Sequence, residues 1–238
     1  MSVLGDLKRV AGRPTARHRG AARRRTYLPA ADRRAQILDV ARDVFSQRGY
    51  HAANIADICS AARIGRGTLY QYFDNKRAVL LSLMEDVKAR MRRVLDERPQ
   101  VEEIPGAREA PPLLIAAFCR ARVRALLDAV FADEQTVRLV LREARGLDGG
   151  VDRVLAAIDR MVLKAMEADL RAAQRMGVLR PLDARLVARF MLGGVEKMVL
   201  QAIADEEPID LDALARTAVE VELFGLLVDE VRTKEARR

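Results

Sequence analysis

An all-α protein is what this sequence predicts, on three grounds. Apolar residues recur at spacings of three and four rather than two, which marks one buried face of a helix. Ala, Leu, Val, Arg and Glu dominate, while aromatic residues are only 4% of the chain, so strand-forming runs are scarce. Gly and Pro cluster between the periodic segments and punctuate them. With 238 residues the chain can bury one sizeable core, or a small domain beside a larger one.

The first 30 residues stand outside this pattern. They hold eight Lys and Arg against Asp6 alone, a net +7 of the chain's +8. A segment so rich in Gly, Ala and Arg buries too little apolar surface to fold by itself. Residues 1–30 are therefore expected to be a basic flexible arm on a nearly neutral body, which points to a polyanionic partner; a solubilising tail is the bland alternative. The arm lacks the apolar stretch of a signal peptide and the amphipathic face of a transit peptide. No apolar run approaches the roughly 20 residues of a membrane span. Cys59 and Cys119 are the only cysteines, each within a helical pattern. Two reduced, buried thiols in a cytoplasmic protein are expected, with a disulfide or redox switch as the alternative.

Residues 32–48 place Ile37, Ala41, Val44 and Phe45 on one face, and Gly49 ends that helix. Asn54 stands where it can cap a second helix, with Asp57 as the acidic partner of a capping box. Ile55, Ile58, Cys59 and Ala62 form its inner stripe. Arg63-Ile64-Gly65 breaks the pattern, and Gly65 can cap a third helix carrying Leu69, Tyr70 and Phe73. Asp74-Asn75 then leads into a fourth, from Lys76 to Glu97, with Val79, Leu80, Leu83, Val87, Met91 and Val94 buried. Residues 98–112 hold four prolines and a glycine, the clearest boundary in the chain. The expected division is thus the arm (1–30), a small domain with its connecting helix (31–97) and a larger helical domain (98–238). Helices are expected there over about 113–131, 134–145, 150–176, 183–204 and 210–232.

Helix, turn, helix, with the second helix polar and aromatic on its open side, is the geometry of major-groove readers. In residues 34–80 further positions agree: Arg34, Ile37, Leu38, Ala41, Phe45 and Gly49, then Ile55, Asp57 and Ile58, then Gly67-Thr68-Leu69-Tyr70, Phe73, Lys76 and Leu80. In order and spacing this segment resembles the N-terminal domain of the tetracycline-repressor (TetR) family. Four positions depart from the family pattern: Arg63 stands at a usual glycine, Gly65 at a usual serine or threonine cap, Tyr72 at a common histidine and Asn54 at a frequent threonine. The resemblance implies a helix-turn-helix DNA-binding domain followed by a larger helical domain that binds a small ligand and dimerises.

Tyr70 and Tyr72 offer rigid hydroxyls for phosphate oxygens, and Lys76 adds charge at a helix N-terminus. Thr68 offers a hydroxyl and a methyl group. Gln71 suits adenine and Arg66 guanine, while Gly67 lets the backbone approach the duplex. Asn54 completes the expected contact set. In the arm, Gly12-Arg13-Pro14 resembles the core of an AT-hook, so Arg13 serves either minor-groove insertion or general phosphate attraction.

In the larger domain, Phe118, Arg122, Phe131, Leu139, Glu143, Ile158, Met161, Met166 and Met191 are candidates to face a hydrophobic effector. Plain core is the alternative for the apolar members, and a solvated face for Arg122 and Glu143. The last two helices are the expected dimer interface, through Phe190, Val195, Met198, Val199, Val221, Phe224 and Val228. Two heads suit a palindromic double-stranded operator. The expected function is a dimeric repressor released by its effector; an architectural DNA-binding protein without an effector is the alternative. No nucleophile elbow, phosphate loop or zinc-protease motif suggests an enzyme. The cysteines and histidines show no metal-ligand spacing, and no cofactor is expected.

Overall fold

The computed structural model describes residues 29–100, 106, 109–144, 146–147 and 149–224. The basic arm with Arg13, and Leu227, Val228 and Val231 of the last predicted helix, lie outside the described residues. Among those described, every regular element is helical. The helices are α1 (Ala30–Arg48), α2 (Ile55–Ala62), α3 (Arg66–Tyr70), α4 (Lys76–Glu97), α5 (Pro112–Phe131), α6 (Glu134–Leu139), α7 (Gly149–Arg175), α8 (Ala184–Ala204) and α9 (Leu211–Phe224). A π-helical turn, Val140–Ala144, continues α6.

Local chemistry sets the boundaries of the small helices. The Asn54 side chain accepts from the Asp57 N–H at 3.1 Å, and the Asp57 carboxylate accepts from the Asn54 N–H at 3.0 Å. This is the reciprocal capping box that the spacing predicts, worth about 1 kcal/mol. Asn75 caps α4 in the same way, accepting from the Ala78 N–H at 2.9 Å. Arg63 closes α2 in the left-handed region, with φ of 55°. The glycine usual at this position has no Cβ to crowd the carbonyl; the arginine costs about 1 kcal/mol.

The core of the small domain gathers Ile37, Phe45, Ile58, Leu69, Phe73, Leu80 and Leu83 from α1 to α4. It is not closed by residues 31–97 alone. Leu139 of α6, Val140 of the π turn, and Val151 and Val154 of α7 are buried in the same cluster. α4 extends beyond this core and packs against α5 and α7. There Val87, Met91 and Leu95 meet Ala129 and Val162. One helix therefore carries both the small domain's core and a wall of the larger one. Among the described residues, no helix is long and apolar enough to cross a membrane.

Candidate nucleic-acid interface and effector cavity

α2, the turn at Arg63–Gly65 and α3 form the helix-turn-helix. Leu69 and Phe73 are buried in the core. Their burial fixes the opposite side of α3 outward, so Arg66, Gly67, Tyr70 and Gln71 are exposed and Thr68 half-buried. Tyr70 is 52% exposed, so its side chain is available on the open side of α3. Gly67 has nothing within 4 Å of where a Cβ would stand, so its surface is open. α3 is a single turn and a half. Gln71 caps it, and Tyr72 sits in the following turn with its ring half-buried against the core. Asn54 is exposed beside this face, with its side-chain oxygen engaged in the capping box.

Lys76 corrects the expectation of a phosphate contact. Its ammonium group donates to the carbonyls of Tyr50 at 2.7 Å, His51 at 3.2 Å and Ala53 at 2.8 Å. Nζ also lies 4.5 Å from the Tyr50 ring centroid. An ammonium has three hydrogens, and here all three tie down the α1–α2 loop.

The larger domain contains two apolar cavities. One, of about 250 Å³, lies among α4 to α9 and is lined by Met84, Val87, Phe131, Ile158, Met166 and Met191, among others. The other, of about 760 Å³, is lined by Leu95, Phe118, Arg122, Met166, Leu170 and Met191, among others. Val123, Leu126, Met166 and Met191 face both. Six of the nine candidate effector residues thus line a cavity: Phe118, Arg122, Phe131, Ile158, Met166 and Met191.

The other three are corrected. Leu139 is buried in the small domain's core, on the side of α6 away from the cavities. Met161 packs half-buried with Val87, Met91 and Val162. Glu143 neither lines a cavity nor faces solvent freely: Oε2 accepts the Tyr50 N–H at 2.7 Å. Gly49 permits this approach, since a Cβ there would lie 3.0 Å from the Glu143 carboxylate, and its φ is 77°.

The Glu143 contact makes α6 and its π turn a bridge. On one side Thr136, Val137, Val140 and Leu141 line the smaller cavity. On the other, Leu139 and Val140 enter the small domain's core, and Glu143 holds the end of α1. At the start of α6 the buried Asp133 accepts from the Thr136 N–H at 3.1 Å and pairs with Arg42 of α1 at 2.9 Å. These ties span about 90 residues of sequence or join distinct helices, so no local pattern signals them.

Glu222 of α9 also escaped the sequence-based selection. It lines the smaller cavity, and burial raises its carboxyl from the ordinary 4.5 to about 7. An acid raised in the folded state binds its proton more tightly there than when unfolded. Its contribution to stability is full below pH 4.5 and is lost as pH rises to about 7. Glu222→Gln should therefore flatten the pH dependence of unfolding across that window. Urea unfolding at pH 5 and pH 8 checks this; parallel losses in both proteins would show that Glu222 is not responsible.

The dimer candidates separate in the same way. Phe190, Met198 and Val221 are exposed, while Val195 is half-buried and faces the smaller cavity. Phe224 is half-buried. Val199 is only 7% exposed and packs with Val137 and Ile203 in the subunit's own core, which corrects its place in an interface.

Residues 37–83 match the family model described as bacterial regulatory proteins, tetR family. The chain is 24% identical over 193 residues to the fatty acid metabolism regulator protein of Bacillus subtilis, covering 80% of this chain and 94% of that one. It is 28% identical over 229 residues to the transcriptional activator FasR of Mycolicibacterium smegmatis, covering 94% and 96%. The crystal structure of the regulator FadR from Bacillus subtilis in complex with stearoyl-CoA shares the fold. Its TM-score is 0.59 at 23% identity, over 81% of this chain and 99% of that one. The helix-turn-helix held by a capping box, the all-helical body behind it and these likenesses agree: residues 37–83 are a DNA-binding domain of the tetR family of bacterial regulatory proteins, and the chain as a whole is similar to transcriptional regulators.

Proposed function

We propose that this protein is a homodimeric regulator that reads a palindromic operator with α2 and α3 and releases it on binding a long-chain acyl effector. Residues 31–97 form the reading domain, residues 98–238 hold the effector and the dimer interface, and the basic arm adds phosphate attraction. The carrying observation is that the smaller cavity lies directly against α4 and the α6 segment, both of which also contribute to the core of the reading domain, while the larger cavity lies against the end of α4. A ligand that moves either element changes the placement of α3. The apolar lining supports a chain-like occupant, and the stearoyl-CoA held by FadR of Bacillus subtilis supports the acyl class. An architectural protein without an effector has no reason to leave such volumes unfilled, since each void costs stability.

The test is selection of binding sites from random duplexes, followed by operator titration with and without stearoyl-CoA. Operator affinity should fall in its presence, and by linkage stearoyl-CoA affinity should fall equally when operator is bound. Failure to select any site would overturn the reader, and an operator affinity indifferent to saturating acyl-CoA would overturn the switch. Within the reader, Gln71→Ala should relax preference at one base pair by about 1–3 kcal/mol. Tyr70→Phe should instead weaken binding to all duplexes, because a phosphate contact carries no sequence information.

A further inference from the structure

The larger cavity's lining carries a charge cluster that its apolar residues do not explain. Arg98 follows α4, Arg122 is on α5 and Asp169 on α7, and all three line the cavity. Arg98 Nε and Nη2 each lie 3.4 Å from the Asp169 carboxylate, a loose two-point contact. Arg122 Nη2 pairs closely with the same carboxylate. The Arg122 guanidinium also lies 5.3 Å from the Phe118 ring centroid, which holds it in place. Arg98 has a second anchor, donating to the Leu95 carbonyl at the end of α4. Two cations thus share one carboxylate in the lining of an apolar cavity. Glu97, exposed at the rim, is the other carboxylate among the described lining residues.

We propose that Arg98 and Arg122 seat the anionic head of an amphipathic effector, a carboxylate or phosphate on a long apolar chain, with Asp169 as the counter-ion that the head displaces. This rests on the reading that the cavities hold the effector. Two guanidinium groups present ten N–H donors between them, and Asp169 offers two oxygens, so donors are left over for a second anion. Burial lowers the Arg122 pKa, Asp169 offsets part of that and the nearby Arg98 charge lowers it further, so a second anion would stabilise a cation that burial disfavours. From the Arg pair, an apolar chain passes Val123, Leu126, Met166 and Met191, which face both cavities, and so reaches Met84 and Val87 of α4. Head recognition at one end of α4 and tail contact with its middle then select ligands by charge and by length together.

The test measures binding of stearic acid, stearoyl-CoA and octadecanol by calorimetry, since the chain has no Trp to report by fluorescence. Wild type should bind at least one of the two anions about ten-fold or more tightly than the alcohol. Arg98→Met and Arg122→Met should each remove most of that advantage and leave octadecanol affinity within about two-fold. Asp169→Asn should raise anion affinity several-fold, a gain that misfolding cannot produce. The anion whose binding depends on the arginines identifies the head as a free carboxylate or as the phosphates of coenzyme A. If both arginine variants bind the anions as wild type does, the cavity reading stands and the head assignment falls. If no C18 probe binds wild type, both fall.

Discussion

Phe190→Asp is expected to yield a folded monomer whose affinity for a palindromic operator is about 10²–10⁴-fold below wild type. Phe190 is 75% exposed and Leu186 61%, one turn apart on α8, with Val221 of α9 also exposed. Gly193 and Gly194 continue this face of α8 with nothing packed within 4 Å of either, so a second backbone can approach. A phenylalanine this exposed contributes little to its own subunit, and a charge there should change the intrinsic stability of the protomer by no more than about 0.5 kcal/mol, apart from the loss of dimer linkage. In the proposed dimer the same carboxylate is desolvated without a partner, which costs several kcal/mol. Under the proposed two-headed reading, operator affinity depends on two heads held at fixed spacing, so losing the interface removes the effective concentration of the second head. Sedimentation velocity and operator titration, run together, check both parts. A Phe190→Asp protein that still sediments as a dimer would place the interface elsewhere. Val199→Asp is the instructive contrast. Val199 is buried within the subunit, so its charge should lower the stability of the protomer and say nothing about assembly.

Lys76→Ala should destabilise the reading domain by about 2–4 kcal/mol, because three backbone carbonyls lose a charged donor and the Tyr50 ring loses its cation. The loop that Lys76 anchors runs from Tyr50 to Ala53 and delivers Asn54 to its capping box, and Glu143 holds the same loop by the Tyr50 N–H. Urea unfolding should therefore report the loss directly. The salt dependence of DNA binding should keep its slope wherever the variant remains folded. A contact to phosphate makes the opposite pair of predictions, a slope shallower by about one and little change in stability. Unchanged unfolding together with a reduced slope would return Lys76 to the interface.

Local chemistry made much of this molecule legible in its sequence. The capping box at Asn54 and Asp57, the Asn75 cap, the stop at Gly49 and the inward stripe Ile37, Ala41, Val44 and Phe45 depend on residues no more than a few turns apart. The resemblance over residues 34–80 rests on the same short-range order, because one turn and a half of α3 needs Leu69 and Phe73 inside and Tyr70 outside. Side chains with several possible partners were decided by tertiary structure alone. Lys76 reaches back more than 20 residues to three carbonyls, and nothing in its own helix distinguishes that from a phosphate contact. Glu143 holds the backbone just after α1 because the π turn of α6 meets Gly49, and Arg122 of α5 finds Asp169 of α7, 47 residues away, on one cavity wall. Helical periodicity also could not separate Phe190 from Val199. Both stand in one apolar pattern on α8, and the packing of α6 and α9 buries the second while leaving the first in solvent. Periodicity reports that a face is apolar; which neighbour covers it depends on contacts between distant helices, and those exist only in the folded chain.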